Sequence, residues 1–283
     1  MKTNALLFFL LLSYIFNLSS AQESIRGRVI DSDTQEPVPF VNIGITQSMT
    51  GTVSDENGKY QLRFASPLDV VTFSSIGYRT ENVEAGKLLE NGEINLQPQP
   101  YDIPAIELNA SAFTREVILG AKLEEQGHSI GFGSSELGTE IAAHVEIGKE
   151  TFLKSAHFSI NHAAGDSLLY RVNLYDFQDG QAGANLLPQN VIVTALQKRG
   201  TVDVDLSEFN LTASNDVLLA LEWIKDDQGK GNVGITFRSR KSRRDNNLYT
   251  KYTSQAPFKR LSDLAPRAPK LQLGFYLTGK QAP

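Results

Sequence analysis

The chain has 283 residues, no cysteine and a formal net charge of −5 at neutral pH. A mildly acidic chain has no global positive field, which argues against a nucleic-acid-binding protein or one that adheres to an anionic membrane. Without cysteine there is no disulfide framework, so hydrophobic cores must hold the fold, and this length favours two domains.

Residues 1–21 are predicted to form a secretory signal peptide. Lys2 precedes an apolar run from Ala5 to Leu12, and small residues lead to a cleavage site that we expect after Ala21. The run is shorter than the roughly 20 apolar residues that span a bilayer, so we expect no integral membrane segment after cleavage. The predicted location is therefore the periplasm, the outer membrane surface or the extracellular space.

Short alternating strands separated by turns fill residues 22–97. Tyr60, Leu62 and Phe64 alternate after the dipeptide Asn57-Gly58. Asn-Gly before such a run predicts a β-hairpin, because both residues tolerate positive φ angles. Regularly spaced short strands of this kind predict a small β-sandwich.

The order of turn and strand residues in this region resembles the carboxypeptidase-regulatory-like domain. The motifs that carry the resemblance are Gly27-x-Val29-x-Asp31, Pro37-x-Pro39, Val41-Asn42, Gly51-Thr52-x-Ser54-Asp55, Gly58-x-Tyr60-x-Leu62 and Ser74-x-Ile76-Gly77-Tyr78. The resemblance covers about residues 23–97 and implies a transthyretin-like, seven-stranded sandwich, of a kind common in exported proteins of Bacteroidota. In carboxypeptidases this module does no chemistry, so the resemblance implies no peptidase activity.

The rest of the chain also reads as β structure. Residues 98–110 are predicted to be a stiff, proline-containing linker. Residues 111–283 contain about ten predicted strands without helical crossovers, which favours an antiparallel, jelly-roll-like β-sandwich. The stretches 168–177 and 217–224 are apolar on both faces and are expected to lie centrally. This resemblance to jelly-roll sandwiches is at the level of the fold and carries little information about function.

No catalytic motif is found, so we predict a protein that is not an enzyme and has no catalytic residues. There is no cysteine nucleophile, no Gly-x-Ser-x-Gly elbow and no His-Glu-x-x-His motif around His128, His144, His157 or His162. Two alternatives stay open. One is a secreted, glycan-directed hydrolase with a carboxylate pair that the sequence does not single out, and the other is a purely structural envelope protein.

A first candidate ligand site lies on the two central strands. Arg171, Asn173 and Tyr175 alternate on one face of the first strand, and Glu222 and Trp223 belong to the second. If the strands are neighbours, these residues form a polar patch with an aromatic border, which is typical of glycan binding. The alternative is a satisfied Arg171–Glu222 ion pair in the protein interior, with the aromatic side chains in the core.

A second candidate is a cationic loop formed by Arg240, Lys241, Arg243 and Arg244. Such a loop is suited to an acidic polysaccharide or lipopolysaccharide, although a solvated hairpin loop explains the same residues. The predicted partners are thus a polysaccharide or an envelope protein, and not nucleic acid. We predict no cofactor and no resident metal, with structural calcium on the loop carboxylates of residues 176–179 and 226–227 as an alternative.

Overall fold

The computed structural model describes residues 23–46, 48–99, 113–124, 127–132, 136–163, 169–194, 199–225, 235–242 and 247–283. The predicted signal peptide and most of the predicted linker lie outside these ranges. The described chain is nearly all β, which confirms the predicted fold class. No helix in these ranges is long and apolar enough to cross a membrane.

Seven strands and one short helix form the N-terminal domain, residues 23–99. The elements are β1 (Glu23–Asp31), β2 (Asn42–Ile45), β3 (Gly51–Val53), β4 (Lys59–Phe64), β5 (Val70–Ser74), β6 (Glu81–Glu84), α1 (Ala85–Glu90) and β7 (Glu93–Leu96). They make a three-stranded sheet of order β4-β1-β7 and a four-stranded sheet of order β3-β2-β5-β6. Alternate side chains of both sheets form one core, among them Ile25, Ile43, Leu62 and Phe73. The predicted seven-stranded sandwich is confirmed.

The predicted hairpin at Asn57-Gly58 is wrong. β3 pairs with β2 and β4 pairs with β1, so this turn carries the chain from one sheet to the other. The local turn is nonetheless tight, because Asp55 Oδ1 accepts the backbone N–H groups of Asn57 at 2.9 Å and Lys59 at 2.8 Å. Gly58 has a φ of 72°, which glycine adopts without strain. The sequence therefore indicated correctly that residues 55–58 form a tight turn, but it did not indicate which strands pair on either side of the turn.

A partly buried tyrosine explains two of the motifs in this domain. Tyr78 Oη donates a hydrogen bond to Asp31 Oδ2 at 2.9 Å, while Asp31 Oδ1 accepts the backbone N–H groups of Asp33 and Thr34. The backbone hydrogen bond from Thr34, followed by those from Asp33 and Tyr78, lowers the pKa of Asp31. Burial and the bond to Asp31 raise the pKa of Tyr78 to about 12. The aspartate and the tyrosine thus join the end of β1 to the bend after β5.

The remaining strands form the C-terminal domain, residues 113–283. They are β8 (Arg115–Gly120), β9 (His128–Ile130), β10 (Glu140–Val145), β11 (Thr151–Ala163), β12 (Leu169–Gln178), β13 (Gln181–Asn185), β14 (Val191–Thr194), β15 (Gly200–Asp205), β16 (Thr212–Ala213), β17 (Val217–Lys225), β18 (Ile235–Lys241), β19 (Leu248–Lys251), β20 (Lys259–Arg260), β21 (Leu271–Leu273) and β22 (Phe275–Gln281). A 3₁₀ helix (Ser207–Phe209) and the short helix α2 (Leu261–Leu264) complete it.

These strands form two sheets that enclose the larger core. One sheet has the order β13-β12-β17-β10-β19-β20, with β14 also pairing with β12, and the other is built around β21-β18-β11-β22-β8. Side chains such as Val172, Leu219, Phe158 and Phe275 fill the space between them. The two strands that are apolar on both faces, β12 and β17, lie inside their sheet and are neighbours there, which the sequence had left open. Their register places Arg171 directly opposite Glu222.

Candidate functional site

Four of the five residues of the predicted glycan patch lie together on the outward face of β12 and β17. Arg171 Nε is 3.6 Å from Glu222 Oε2, and Asn173 Nδ2 donates to the same carboxylate oxygen at 3.0 Å. Tyr175 follows on the same face of β12, because residues two apart in a strand point the same way. The condition set in the sequence analysis, that the two strands are neighbours, is therefore met.

Two further charged residues complete the group and were not singled out from the sequence. Glu140 of β10 accepts hydrogen bonds from Lys251 Nζ at 2.7 Å and from Tyr175 Oη at 3.1 Å. Asn173 Nδ2 lies 3.2 Å from Glu140 Oε2, so one amide joins both carboxylates. Glu140 is directly opposite both Glu222 and Lys251, but this register is known only from the structure, so the sequence held no signal for the two residues. We call Glu140, Arg171, Asn173, Tyr175, Glu222 and Lys251 the interdomain polar cluster.

The interdomain polar cluster is almost completely removed from solvent. Glu140 and Glu222 are 0% exposed, Arg171 is 2% exposed and Lys251 is 9% exposed. Burial raises the pKa of Glu222, with Arg171 acting in the opposite direction. Burial also raises the pKa of Tyr175 well above its usual value, and the charge of Glu140 adds to that effect. Two carboxylates face two cations, and their mutual attraction offsets part of the desolvation penalty of burying four charges.

The N-terminal domain contacts this cluster at Arg171, whereas Phe258 of the C-terminal domain packs on Tyr175 and Lys251. Arg171 Nη2 donates a hydrogen bond of 2.5 Å to the backbone oxygen of Phe40. Phe40 has a left-handed φ of 55°, which is uncommon for a non-glycine residue and is held here by its surroundings. Nearby, Gln255 Nε2 donates to Ser74 Oγ at 3.1 Å, so a second polar contact joins the domains.

Two ion pairs at the rim of the interface connect the same domains. Arg63 Nη2 lies 2.7 Å from Glu136 Oε1, and Lys225 Nζ lies 3.1 Å from Glu56 Oε2. Their side chains are substantially exposed, so each contributes little to stability by itself. The interface therefore has a buried ionic centre and a polar, solvated rim.

Trp223 does not border the polar patch. Its side chain is 3% exposed, lies between the two sheets of the C-terminal domain and stacks on Phe132 with ring centroids 6.2 Å apart. The reason is strand geometry, since adjacent residues in a strand point to opposite faces. Phe177, the other aromatic of the region, does share the outward face and packs edge-on against Tyr249.

The ligand-binding prediction for this patch stays a prediction. In the docked arrangement, the ion pair and the overlying N-terminal domain occupy the positions that a glycan would need. The geometry is closer to the alternative interpretation, a buried Arg171–Glu222 ion pair, but the pair is incompletely satisfied, because Arg171 Nε and Glu222 Oε1 are buried without a hydrogen-bond partner among the described residues. The pair lies where the N-terminal domain contacts the outer face of the C-terminal sandwich, and not between the two sheets of that sandwich.

The predicted cationic loop is described in part. Arg240 and Lys241 end β18 and are exposed, and Arg240 Nε donates to Gln272 Oε1 at 2.8 Å. Arg243 and Arg244 lie outside the described residues. The prediction of an anionic partner for this loop therefore stays untested.

The histidines of the second domain have separate partners. His144 Nε2 is 2.9 Å from Asp216 Oδ2, whereas His157 Nδ1 is 2.6 Å from Asp203 Oδ1 and its ring stacks on Tyr276. Within the described ranges, no three histidine or carboxylate side chains converge as a metal site.

The loop carboxylates that we considered for calcium are only partly described. Asp179 lies in the turn between β12 and β13, and Asp176 Oδ1 accepts a hydrogen bond from Asn215 Nδ2. Asp226 and Asp227 fall outside the described residues, so the calcium alternative stays a prediction.

Comparisons with known proteins identify the family of the first domain. No curated protein matches the chain. Four chains of solved structures match. They include a clostridial cysteine protease, Cwp84, after propeptide cleavage, with 12% identity and a TM-score of 0.43 over 59% of this chain and 40% of that chain. The cysteine protease and lectin-like domains of Cwp84, a surface layer associated protein of Clostridium difficile, match with 12% identity and a TM-score of 0.39.

The second of these matches covers 50% of this chain and 32% of that chain. Both therefore span less than half of the clostridial chains, and similarities this weak carry no argument about function. The family comparison is specific by contrast, because the model of the CarboxypepD_reg-like domain matches residues 25–103. This stretch coincides with the seven-stranded N-terminal sandwich and with the motifs that define its turns. Residues 25–103 are therefore a CarboxypepD_reg-like domain.

Proposed function

We propose that this chain is an exported, non-catalytic binding module of the cell envelope whose ligand is a glycan or an envelope partner. In this proposal the CarboxypepD_reg-like domain is a rigid element that docks on the C-terminal sandwich. The interdomain polar cluster is the docking contact and not a reaction centre. Export is inferred from the leader-like sequence of residues 1–21.

The observation that supports the proposal is the burial and pairing of the two carboxylates Glu140 and Glu222. A glycan hydrolase needs two carboxyl groups that flank the substrate and reach water. Here both carboxylates are fully buried, share the amide of Asn173 and face the cations Arg171 and Lys251. Such a pair is suited to holding two domains together and is unsuited to hydrolysis, which favours binding over the hydrolase alternative.

A glycan array with the mature full-length protein, run with and without calcium, tests the proposal. Release of reducing ends is measured in parallel on every glycan that binds, and Glu222→Gln serves as the matched variant. We expect retention of at least one glycan class or envelope fraction without release of reducing ends. Hydrolysis that is lost in Glu222→Gln would establish the hydrolase alternative, and failure to retain any glycan or envelope fraction would favour the structural alternative.

A further inference from the structure

We infer that a cleft between the two domains binds an acidic oligosaccharide, one that carries carboxylate or sulfate groups. This inference rests on the proposed binding function and gives it a site and a ligand class. The cleft has a volume of about 670 Å³, which lies within the range of ligand sites. Both domains line it, so its shape depends on their docking. The N-terminal wall includes Arg26, Arg28 and Lys59, and the C-terminal wall includes Leu137, Ile224 and Lys225.

Cations dominate the charged groups of the cleft. Arg26 and Lys59 are exposed and form no ion pair within the described part of the chain. The guanidinium of Arg28 donates only to the backbone oxygen of Asn57, at 3.3 Å. Lys225 is paired with Glu56 across the domain boundary. Three cations of the N-terminal wall are thus left without a carboxylate partner.

The single acid among the described lining residues is already engaged. Asp55 Oδ1 accepts two backbone N–H groups in the turn before β4. The local excess of positive charge contrasts with the net charge of −5 of the whole chain. A concave site with one sign of charge concentrates ligands of the opposite sign, and arginine pairs with carboxylate and sulfate groups through two parallel hydrogen bonds.

Aliphatic side chains also line the cleft. Val53 of the N-terminal domain and Leu137 and Ile224 of the C-terminal domain belong to the lining. Specific ligand sites commonly combine a largely apolar wall with a few charged groups that fix orientation. An acidic sugar fits this combination, because its ring presents C–H faces to an apolar wall while its acid groups project from the edge.

An extended acidic peptide is the main rival ligand, and the edge of β4 disfavours it. Strand addition needs free backbone groups at a sheet edge. Where the cleft meets β4, the N–H of Lys59 donates to Asp55 Oδ1 at 2.8 Å and its carbonyl accepts the N–H of Asp55 at 2.8 Å. The turn therefore occupies the outward backbone groups of Lys59 and shortens the edge that an added strand could use.

Isothermal titration of the mature protein tests the site with four defined probes. Hexameric oligogalacturonate and a heparin hexasaccharide carry carboxylates and sulfates, cellohexaose is neutral, and hexaglutamate is an acidic peptide. The test variant is Arg26→Gln/Lys59→Gln, which neutralises two exposed, unpaired cations. The matched control is Arg79→Gln/Lys87→Gln, which makes the same charge change at exposed positions outside the cleft lining. Circular dichroism and tryptophan fluorescence confirm folding.

We expect an acidic oligosaccharide to bind the wild-type protein, with affinity that falls between ~50 mM and ~300 mM salt as the charges are screened. The test variant should bind roughly tenfold more weakly, as two lost ion pairs imply. The control variant should change affinity by less than about twofold.

Four results would overturn the inference. Equal weakening in the control variant would show a diffuse charge effect, and loss of binding on neutralising Arg240 and Lys241 instead would assign the ligand to the cationic loop. Binding of hexaglutamate in preference to both oligosaccharides would favour the peptide. If only neutral glycans bind, the cleft inference fails while the proposed binding function stands.

Discussion

The loss of stability caused by replacing Arg171 with methionine tests whether the interdomain polar cluster is buried in solution. The guanidinium is 2% exposed and lies beside Glu222, which is 0% exposed. Methionine preserves much of the side-chain volume and removes the charge, which leaves two carboxylates with Lys251 as their remaining cation. Breaking a buried pair by removing one partner costs about 3–5 kcal/mol. That loss is a large part of the 5–15 kcal/mol typical of folded domains.

Urea unfolding followed by tryptophan fluorescence is the assay. Trp223 is the one tryptophan of the chain and lies in the core of the C-terminal domain, so its emission follows the unfolding of that domain. We expect Arg171→Met to lower the urea midpoint while leaving the slope of the transition unchanged. The double variant Arg171→Met/Glu222→Leu leaves the balanced pair Glu140–Lys251 and should recover most of the lost stability.

The reasoning would be refuted by a loss below about 1 kcal/mol in the single variant, which is the range of exposed ion pairs. Such a result would show that the guanidinium of Arg171 is hydrated in solution and that the N-terminal domain does not cover it. The predicted glycan patch would then be open to ligand. A double variant that is less stable than the single one would also contradict the account, because the two losses would then be independent.

Three further predictions concern pH and glycine. Backbone and side-chain hydrogen bonds lower the pKa of Asp31. The Asp31 carboxylate therefore stabilises the folded protein above the unfolded pKa of 3.8, and this stabilisation is lost as pH falls through the folded pKa. We expect Asp31→Asn to flatten the decrease in melting temperature at acid pH, followed by circular dichroism. Burial raises the pKa of Glu222. The contribution of Glu222 to folding stability is therefore fully present below the unfolded pKa of 4.5 and is lost as pH rises through the folded pKa. We expect Glu222→Gln to flatten the decrease of the urea midpoint with rising pH. Gly27→Ala places a methyl group 1.9 Å from the backbone oxygen of Gly92 and should destabilise the N-terminal domain by about 1–3 kcal/mol or more. A Cβ atom at Gly77 would have no neighbouring atom within 4 Å, so Gly77→Ala should cost only the ~1–2 kcal/mol of a left-handed backbone. Equal melting temperatures for the two alanine variants would contradict the close approach of Gly27 to the backbone of Gly92.

The sequence was most informative where period-two alternation is strong. The apolar stretches of β12 and β17 predicted two central strands, and their polar positions indicated that Arg171 and Glu222 would meet if these strands were neighbours, as they are. β13 was missed because Gln181–Asn185 contains few apolar residues, even though the turn Asp179-Gly180 before it is evident. Alternation of apolar and polar residues arises when one face of a strand is buried. A short polar strand at a sheet edge therefore shows no such alternation in its sequence.

The docking of the domains was beyond what the sequence could show. Periodicity indicates which face of a strand points outward, and it does not indicate what covers that face. The outward face of β12 therefore suggested an open ligand patch, and the structure places the backbone of Phe40 over Arg171. The cleft was invisible for the same reason, because Arg26 and Lys225 come from strands of different domains.

A designed disulfide tests the docking of the two domains most directly. A Cβ atom at Gly44 would lie 3.4 Å from the Cβ atom of Gln255, close to the roughly 3.5–4.5 Å that disulfides require. Since the chain has no cysteine, Gly44→Cys/Gln255→Cys introduces the only thiols, and each single variant is a control. Thiol titration and intact mass after mild oxidation of dilute protein should show complete formation of an intramolecular disulfide. Free thiols, or disulfide-linked dimers like those of the single variants, would contradict the docked arrangement.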